Sequence, residues 1–125
     1  MTALLLALLL SLSAPESTLP HPATSKMAWL TERDHDFGEI PQGRPVKFVF
    51  RYRNTSDAPL TLETVRTTCG CTAAEWTEGP VPPGGTGDIS VEYDAYQGGT
   101  FKKKIRVFFH EQKKAEMLSI RGEVD

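Results

Sequence analysis

The chain has 125 residues, with 14 Lys+Arg against 16 Asp+Glu and a formal net charge of −2. That is the length of a single domain, and the lack of a basic excess speaks against a general nucleic-acid binder. Hydrophobic residues at 39% and charged residues at 24% describe a globular chain, while two cysteines make neither a disulfide-dense scaffold nor, alone, a closed zinc site.

Residues 3–12 form the one strongly apolar run. As a helix, ten residues rise about 15 Å, half of a bilayer core, so the run is too short to span a membrane. Its length and the small residues Ser11, Ser13 and Ala14 fit a secretory signal peptide over residues 1–14, although no Lys or Arg precedes it. Residues 15–26 carry Pro15, Pro20, Pro22 and several Ser and Thr, which predicts a flexible linker with His21 in solvent. An exported protein follows, secreted or periplasmic, with no transmembrane segment in its mature form.

The folded domain is expected over residues 27–125. There the hydrophobic period is two, with residues 28–32 and 36–40 predicted as one or two short strands broken around Asp34. Val46, Phe48, Phe50 and Tyr52 share one strand face, and Lys47, Val49, Arg51 and Arg53 the other. Asn54, Thr55, Ser56 and Asp57 supply turn chemistry before a strand at residues 60–66. Ile89, Val91 and Tyr93 point inward from the next strand, after an expected hairpin turn at Pro82, Pro83 and the glycines at 84, 85 and 87. Phe101, Lys103, Ile105, Val107 and Phe109 oppose Lys102, Lys104, Arg106, Phe108 and His110 in a longer one. In the last strand, Leu118, Ile120 and Val124 share a face. No segment has a useful helical period. The expectation is all-β: an antiparallel immunoglobulin-like sandwich of about seven strands.

Certain residues carry a resemblance over the whole region from Trp29 to Val124. They are His35-Asp36-Phe37-Gly38-Glu39-Ile40, Arg53-Asn54-Thr55, Pro59-Leu60, Thr68-Cys69-Gly70-Cys71-Thr72, Trp76, Pro82-Pro83-Gly84, Val91-Glu92-Tyr93 and Ile120-Arg121-Gly122-Glu123-Val124. The string resembles a bacterial family of exported domains of unknown function, similar in fold to major sperm protein, PapD-like and Hydin-type domains. The last hairpin departs from it, with His110 to Lys114 where the family often has an Asn-Asp-Pro turn. The resemblance implies a sandwich and an exported location, and brings no catalytic residues.

Cys69-Gly70-Cys71 is the one chemically pointed motif. In an extended strand, residues i and i+2 lie about 6.6–6.8 Å apart, so a bridge requires the chain to fold at Gly70. The loop so closed is tiny, and its entropic stabilisation is only about 1.5 kcal/mol. Three readings stand open: a local kink with thiols packed or bridged, a redox-active pair, or a soft-metal site for copper or zinc. Met27 and His35 are the weak candidates for further ligands.

Lys102, Lys103, Lys104, Arg106, Lys113 and Lys114 form a basic hairpin, read either as protection of a strand edge or as a patch for an anionic partner. Asp34, Asp36 and Glu39 lack the surroundings of a calcium loop, and the glycines at 84, 85 and 87 precede no helix that would make a phosphate cradle. The expected function is therefore an exported, non-enzymatic module that binds a protein or envelope component, or supports the envelope structurally, without a cofactor. The alternative is a copper or thiol-redox protein that uses Cys69 and Cys71.

Overall fold

A computed structural model of the protein describes residues 25–125. The expected signal peptide, and all of the expected linker except Ser25 and Lys26, lie outside the described residues. Those two are held against the domain: Ser25 Oγ donates to Glu116 Oε2 at 3.1 Å, and the Lys26 N–H donates to Gln112 Oε1 at 3.0 Å.

Nine strands follow in chain order: β1 (Met27–Trp29), β2 (Asp34–Ile40), β3 (Val46–Asn54), β4 (Leu60–Thr67), β5 (Thr72–Trp76), β6 (Pro80–Val81), β7 (Thr86–Tyr93), β8 (Gly99–Phe109) and β9 (Glu116–Val124). They build two sheets, β1-β3-β7-β5 and β2-β9-β8-β4-β6. The expected all-β sandwich is there, with more strands than the seven or so expected. The two additional ones are short: β5 and β6 hold five and two residues and leave too few alternations to read.

Two features differ from the expectation. Asp34 lies within β2 and pairs with Ser119, so the break falls before it, at residues 30–33. There the chain passes from one sheet to the other, and β2 arrives parallel to β9, the exception in an otherwise antiparallel fold. Likewise the turn at Pro82 to Gly85 does not close a hairpin. The Gly85 N–H donates to the Pro82 carbonyl at 2.8 Å, and this turn carries the chain from β6 in one sheet to β7 in the other.

The alternation read from sequence places the core. Phe50, Tyr52, Ile89, Val91 and Tyr93 from one sheet meet Leu60, Phe101, Ile105, Val107, Phe109, Leu118 and Ile120 from the other, all buried. Tyr52 stands opposite Gly87 in the β3–β7 register, and a side chain at Gly87 would run into the phenol ring. The glycine is thus the space that Tyr52 occupies. Its ring meets Trp29 and Phe109 edge-on, with centroids at 5.9 and 5.0 Å. The Tyr52 hydroxyl is buried without a partner, and burial, aided by the charge of Asp88, pushes its pKa up to about 12.

Asn54, expected as a turn residue, is fully buried at the end of β3. Its Nδ2 donates to the carbonyls of Ala58 (2.8 Å) and Val81 (2.9 Å). Its Oδ1 accepts from the Ser56 N–H (2.9 Å) and the Ser56 hydroxyl (2.7 Å). Its own N–H and C=O bond to Gly85 and Gly84, both at 2.8 Å. One side chain thus closes the β3–β4 turn and ties it to β6.

On the outer face of the five-stranded sheet, Asp34 accepts from Ser119 Oγ (2.7 Å) and Arg121 Nε (3.0 Å), while Arg121 Nη1 reaches Asp36 at 3.1 Å. The Ser119 hydrogen bond, opposed by partial burial and helped by Arg121, lowers the Asp34 pKa. These groups are close to half exposed, so the pairs order the β2 edge and contribute little stability.

Two predictions follow from these contacts. Replacing Asn54 by Ala removes its two bonds to the Ala58 and Val81 carbonyls and leaves the Ser56 N–H without its acceptor; it is expected to lower stability by about 2–4 kcal/mol, measured as a shift of the urea midpoint. The raised pKa of Tyr52 means the folded state holds this proton more tightly than the unfolded chain. Its contribution is therefore complete below about pH 10 and falls away between pH 10 and about 12. Urea midpoints across that range are expected to decline less steeply in Tyr52→Phe. Tyr93, whose pKa burial and Asp94 also raise, retains its own share of the slope.

Candidate functional site

The β4–β5 connection holds the cysteine motif. Thr67 ends β4 and Thr72 begins β5, which leaves four residues for the passage between sheets. The chain folds at Gly70: the Thr72 N–H donates to the Cys69 carbonyl at 3.2 Å, and the two cysteine Cα atoms come to 5.2 Å, within disulfide range. Cys69 and Cys71 are bridged. Thr67 Oγ1 donates to the carbonyls of Cys69 (3.3 Å) and Thr72 (3.2 Å), and the Asp94 N–H to the Cys71 carbonyl (3.0 Å). The Cys71 N–H donates to Cys69 Sγ at 3.1 Å. Both cysteines are partly exposed.

The fold does not bring the two candidate extra ligands to this turn. Met27 is in the core and pairs with Asn54, whereas Thr72 is aligned through Tyr93 with Val46 at the other end of β3. Eight residues of strand separate those ends by about 26 Å. His35 lies on β2, three strands from β4, or about 14 Å across the sheet. Its half-buried ring stacks on Phe48 at 3.7 Å and meets Phe37 edge-on at 4.6 Å, so it packs with aromatic side chains at the margin of the core. No group of three His, Cys, Asp or Glu among the described residues is arranged to hold a metal ion. A soft metal would find two sulfurs, both committed to the bridge.

Immediately after this turn, β5 forms a sheet edge. The Asp94 N–H donates to the Cys71 carbonyl and the Thr77 N–H to the Asp88 carbonyl, so the odd-numbered residues along β5 face β7. The even-numbered ones present their N–H and C=O groups outward. Those of Thr72 are taken up by Cys69 and Thr67, but those of Ala74 and Trp76 meet no strand among the described residues. A groove of about 360 Å³ lined by Ala74, Glu75, Trp76 and Glu78 lies there. The other edges are less available. Strand β2 is charged and interrupted by a register shift, β6 is two residues long and begins at Pro80, and β1 is three residues long and tied to Glu116 through Trp29 Nε1 at 3.1 Å.

The six basic residues do not form one surface. Lys102, Lys104 and Arg106 point outward from β8, Lys103 shares the side of Phe101 and Ile105, and Lys113 and Lys114 are in the β8–β9 turn. That turn is about 23 Å along the strand from Lys102. Arg66, which the sequence reading passed over, stands directly opposite Arg106 and lies over the Phe108 ring at 5.6 Å. A cleft of about 380 Å³ beside the β2 register shift mixes Asp36, Glu39 and Glu123 with Lys102 and Arg121, so its charges largely offset one another.

The family described as "Protein of unknown function (DUF1573)" matches residues 28–124. The chain belongs to the DUF1573 family. No curated protein matches it by sequence. Among solved structures, this DUF1573 domain is similar to a protein of unknown function from Porphyromonas gingivalis W83, with 20% identity and a TM-score of 0.67 over 82% of this chain, and spans 50% of that chain. It is also similar to the ASH/PapD-like domain 7 of human CEP192, with 12% identity and a TM-score of 0.70 over 93% of this chain and 96% of that one. A major-sperm-protein family member from C. elegans, WR4, matches with 10% identity and a TM-score of 0.52 over 81% of this chain and 99% of that one. At these identities the likeness concerns the fold, and it bears out the PapD-like and sperm-protein resemblance read from the motifs.

The turn of this DUF1573 domain yields a prediction about its bridge. Replacing both cysteines by Ser removes a bridge across a turn that the Thr72 N–H to Cys69 carbonyl bond already closes, and is expected to cost no more than about 1.5 kcal/mol in urea unfolding.

Proposed function

We propose that the domain is an exported binding module of the cell envelope, which takes up an extended segment of a partner protein along the edge of β5. The observation that carries this reading is the pair of outward-facing main-chain positions, Ala74 and Trp76, beside a groove. Main-chain donors and acceptors at a sheet edge supply affinity, and the groove beside them selects side chains. Glu75 and Glu78 line that groove and favour a segment carrying a basic residue. The signal-like run at residues 3–12 supports the exported location.

A second copy of the same strand is a poor occupant. Pairing centred on Ala74 would need the Thr72 groups that the turn already uses, and pairing centred on Glu75 would set two carboxylates face to face. A partner of different sequence avoids both obstacles.

Ala74→Pro is the discriminating substitution. It removes an N–H that has no partner in the fold, so the domain is expected to keep its urea midpoint within about 1 kcal/mol. Partner capture from an envelope extract is expected to fall at least about tenfold, which corresponds to roughly 1.4 kcal/mol. Equal capture by wild type and Ala74→Pro, or turnover of an envelope component in place of binding, would overturn the proposal.

A further inference from the structure

We infer that the Cys69–Cys71 bridge is a thiol–disulfide exchange site that accepts electrons from a dithiol, and that Cys69 is the sulfur attacked. Stability does not account for the bridge. The Thr72 N–H to Cys69 carbonyl bond already closes the same turn, and a cross-link over so few residues adds little loop entropy. Opening it need not disturb the strands either. Thr67 Oγ1 holds the carbonyls of Cys69 and Thr72, and the Asp94 N–H holds that of Cys71, all independently of the sulfurs.

The two sulfurs are not equivalent. Cys71 packs against the hydrophobic core, and its Sγ lies 3.8 Å from Thr72 Oγ1. Cys69 is partly exposed without belonging to that cluster, and a side chain built at the adjacent Gly70 would meet no atom within 4 Å. Space at the bend is therefore open, and of the two sulfurs Cys69 is the one not packed on the core. The Cys71 N–H aimed at Cys69 Sγ also favours the thiolate form of Cys69 over the thiol.

Exchange then runs in two displacements. A thiolate of the incoming dithiol attacks Cys69 Sγ, the Cys69–Cys71 bond breaks, and its electron pair leaves on Cys71 Sγ, which takes up a proton. The second thiolate of the dithiol attacks its own sulfur in the mixed disulfide. Cys69 is released as a thiolate under the Cys71 N–H. Two electrons pass from the dithiol, which becomes a disulfide, to the domain, which is left with Cys71 as a thiol and Cys69 as a thiolate; of the two protons the dithiol gives up, one ends on Cys71 and the other in solvent.

The test uses the full chain with two probes, dithiothreitol and a peptide carrying a reduced Cys-x-x-Cys pair, followed by rapid alkylation and mass spectrometry. The wild-type bridge is expected to open without denaturant and with the fold intact by circular dichroism. Faster opening by the peptide at equal thiol concentration assigns the dithiol to a protein, and faster opening by dithiothreitol assigns it to a small molecule. With oxidised glutathione, Cys71→Ser, which leaves Cys69 free, is expected to form its mixed disulfide about tenfold faster than Cys69→Ser. A bridge that opens only under unfolding conditions, or a ratio below about threefold between the variants, would overturn the assignment.

Discussion

The structure turns on one buried amide. Asn54 is the one fully buried polar side chain among the described residues, and the groups around it are satisfied from both sides. A buried amide is costly unless every donor and acceptor is met. The chain therefore has little freedom where it leaves β3: the side-chain amide of Asn54 fixes Ser56, Ala58 and Val81, and its main chain bonds to Gly84 and Gly85. That single set of bonds joins the exit of β3 to the place where β6 hands over to β7, and so holds the two sheets in register at one end of the sandwich.

At the opposite end of β3 and β7, the sheets are joined by the Cys-Gly-Cys turn and not by a buried amide. The contrast has a physical basis. Asn54 is enclosed by core, whereas the turn sits at a sheet margin where both cysteines retain access to solvent. A rigid end and a chemically addressable end result from the same sandwich. The turn also delivers the chain directly into β5, so the features carrying the functional proposals are neighbours: Cys71 precedes Thr72, and Ala74 lies two residues further on. Close to the Asn54 end Tyr52 fills the space left by Gly87, and its edge-on packing with Trp29 and Phe109 follows from that placement.

Long strands were legible in the sequence and short ones were not. Val46 to Tyr52 and Phe101 to Phe109 alternate over enough residues to assign each face, and their buried positions agree with that assignment. Strand β5 reads Thr-Ala-Ala-Glu-Trp, with two small residues and no clear alternation, so the most available edge of the fold carried almost no signal. Asn54 looked like a turn residue because the turn it closes is local, while its bonds to Val81 and to the glycines at 84 and 85 span about thirty residues of chain. The basic hairpin shows the same limit. Consecutive lysines on a strand point to opposite sides, and the cross-strand neighbour Arg66 comes from a segment nearly forty residues away.

Fold class and core were readable from the chain, because a period of two with apolar residues on one face admits few structures other than a two-layer sandwich. The sequence also marked Cys69-Gly70-Cys71 as the place where the chain must bend if the sulfurs are to meet. The three-dimensional arrangement was needed to show which edges are left open, that β2 runs parallel to β9, and that Met27 and His35 stand apart from the cysteines. The reason is that periodicity reports which side of a strand faces the core. Which strand lies beside which is settled by where the chain crosses between sheets, and those crossings depend on contacts distant in sequence.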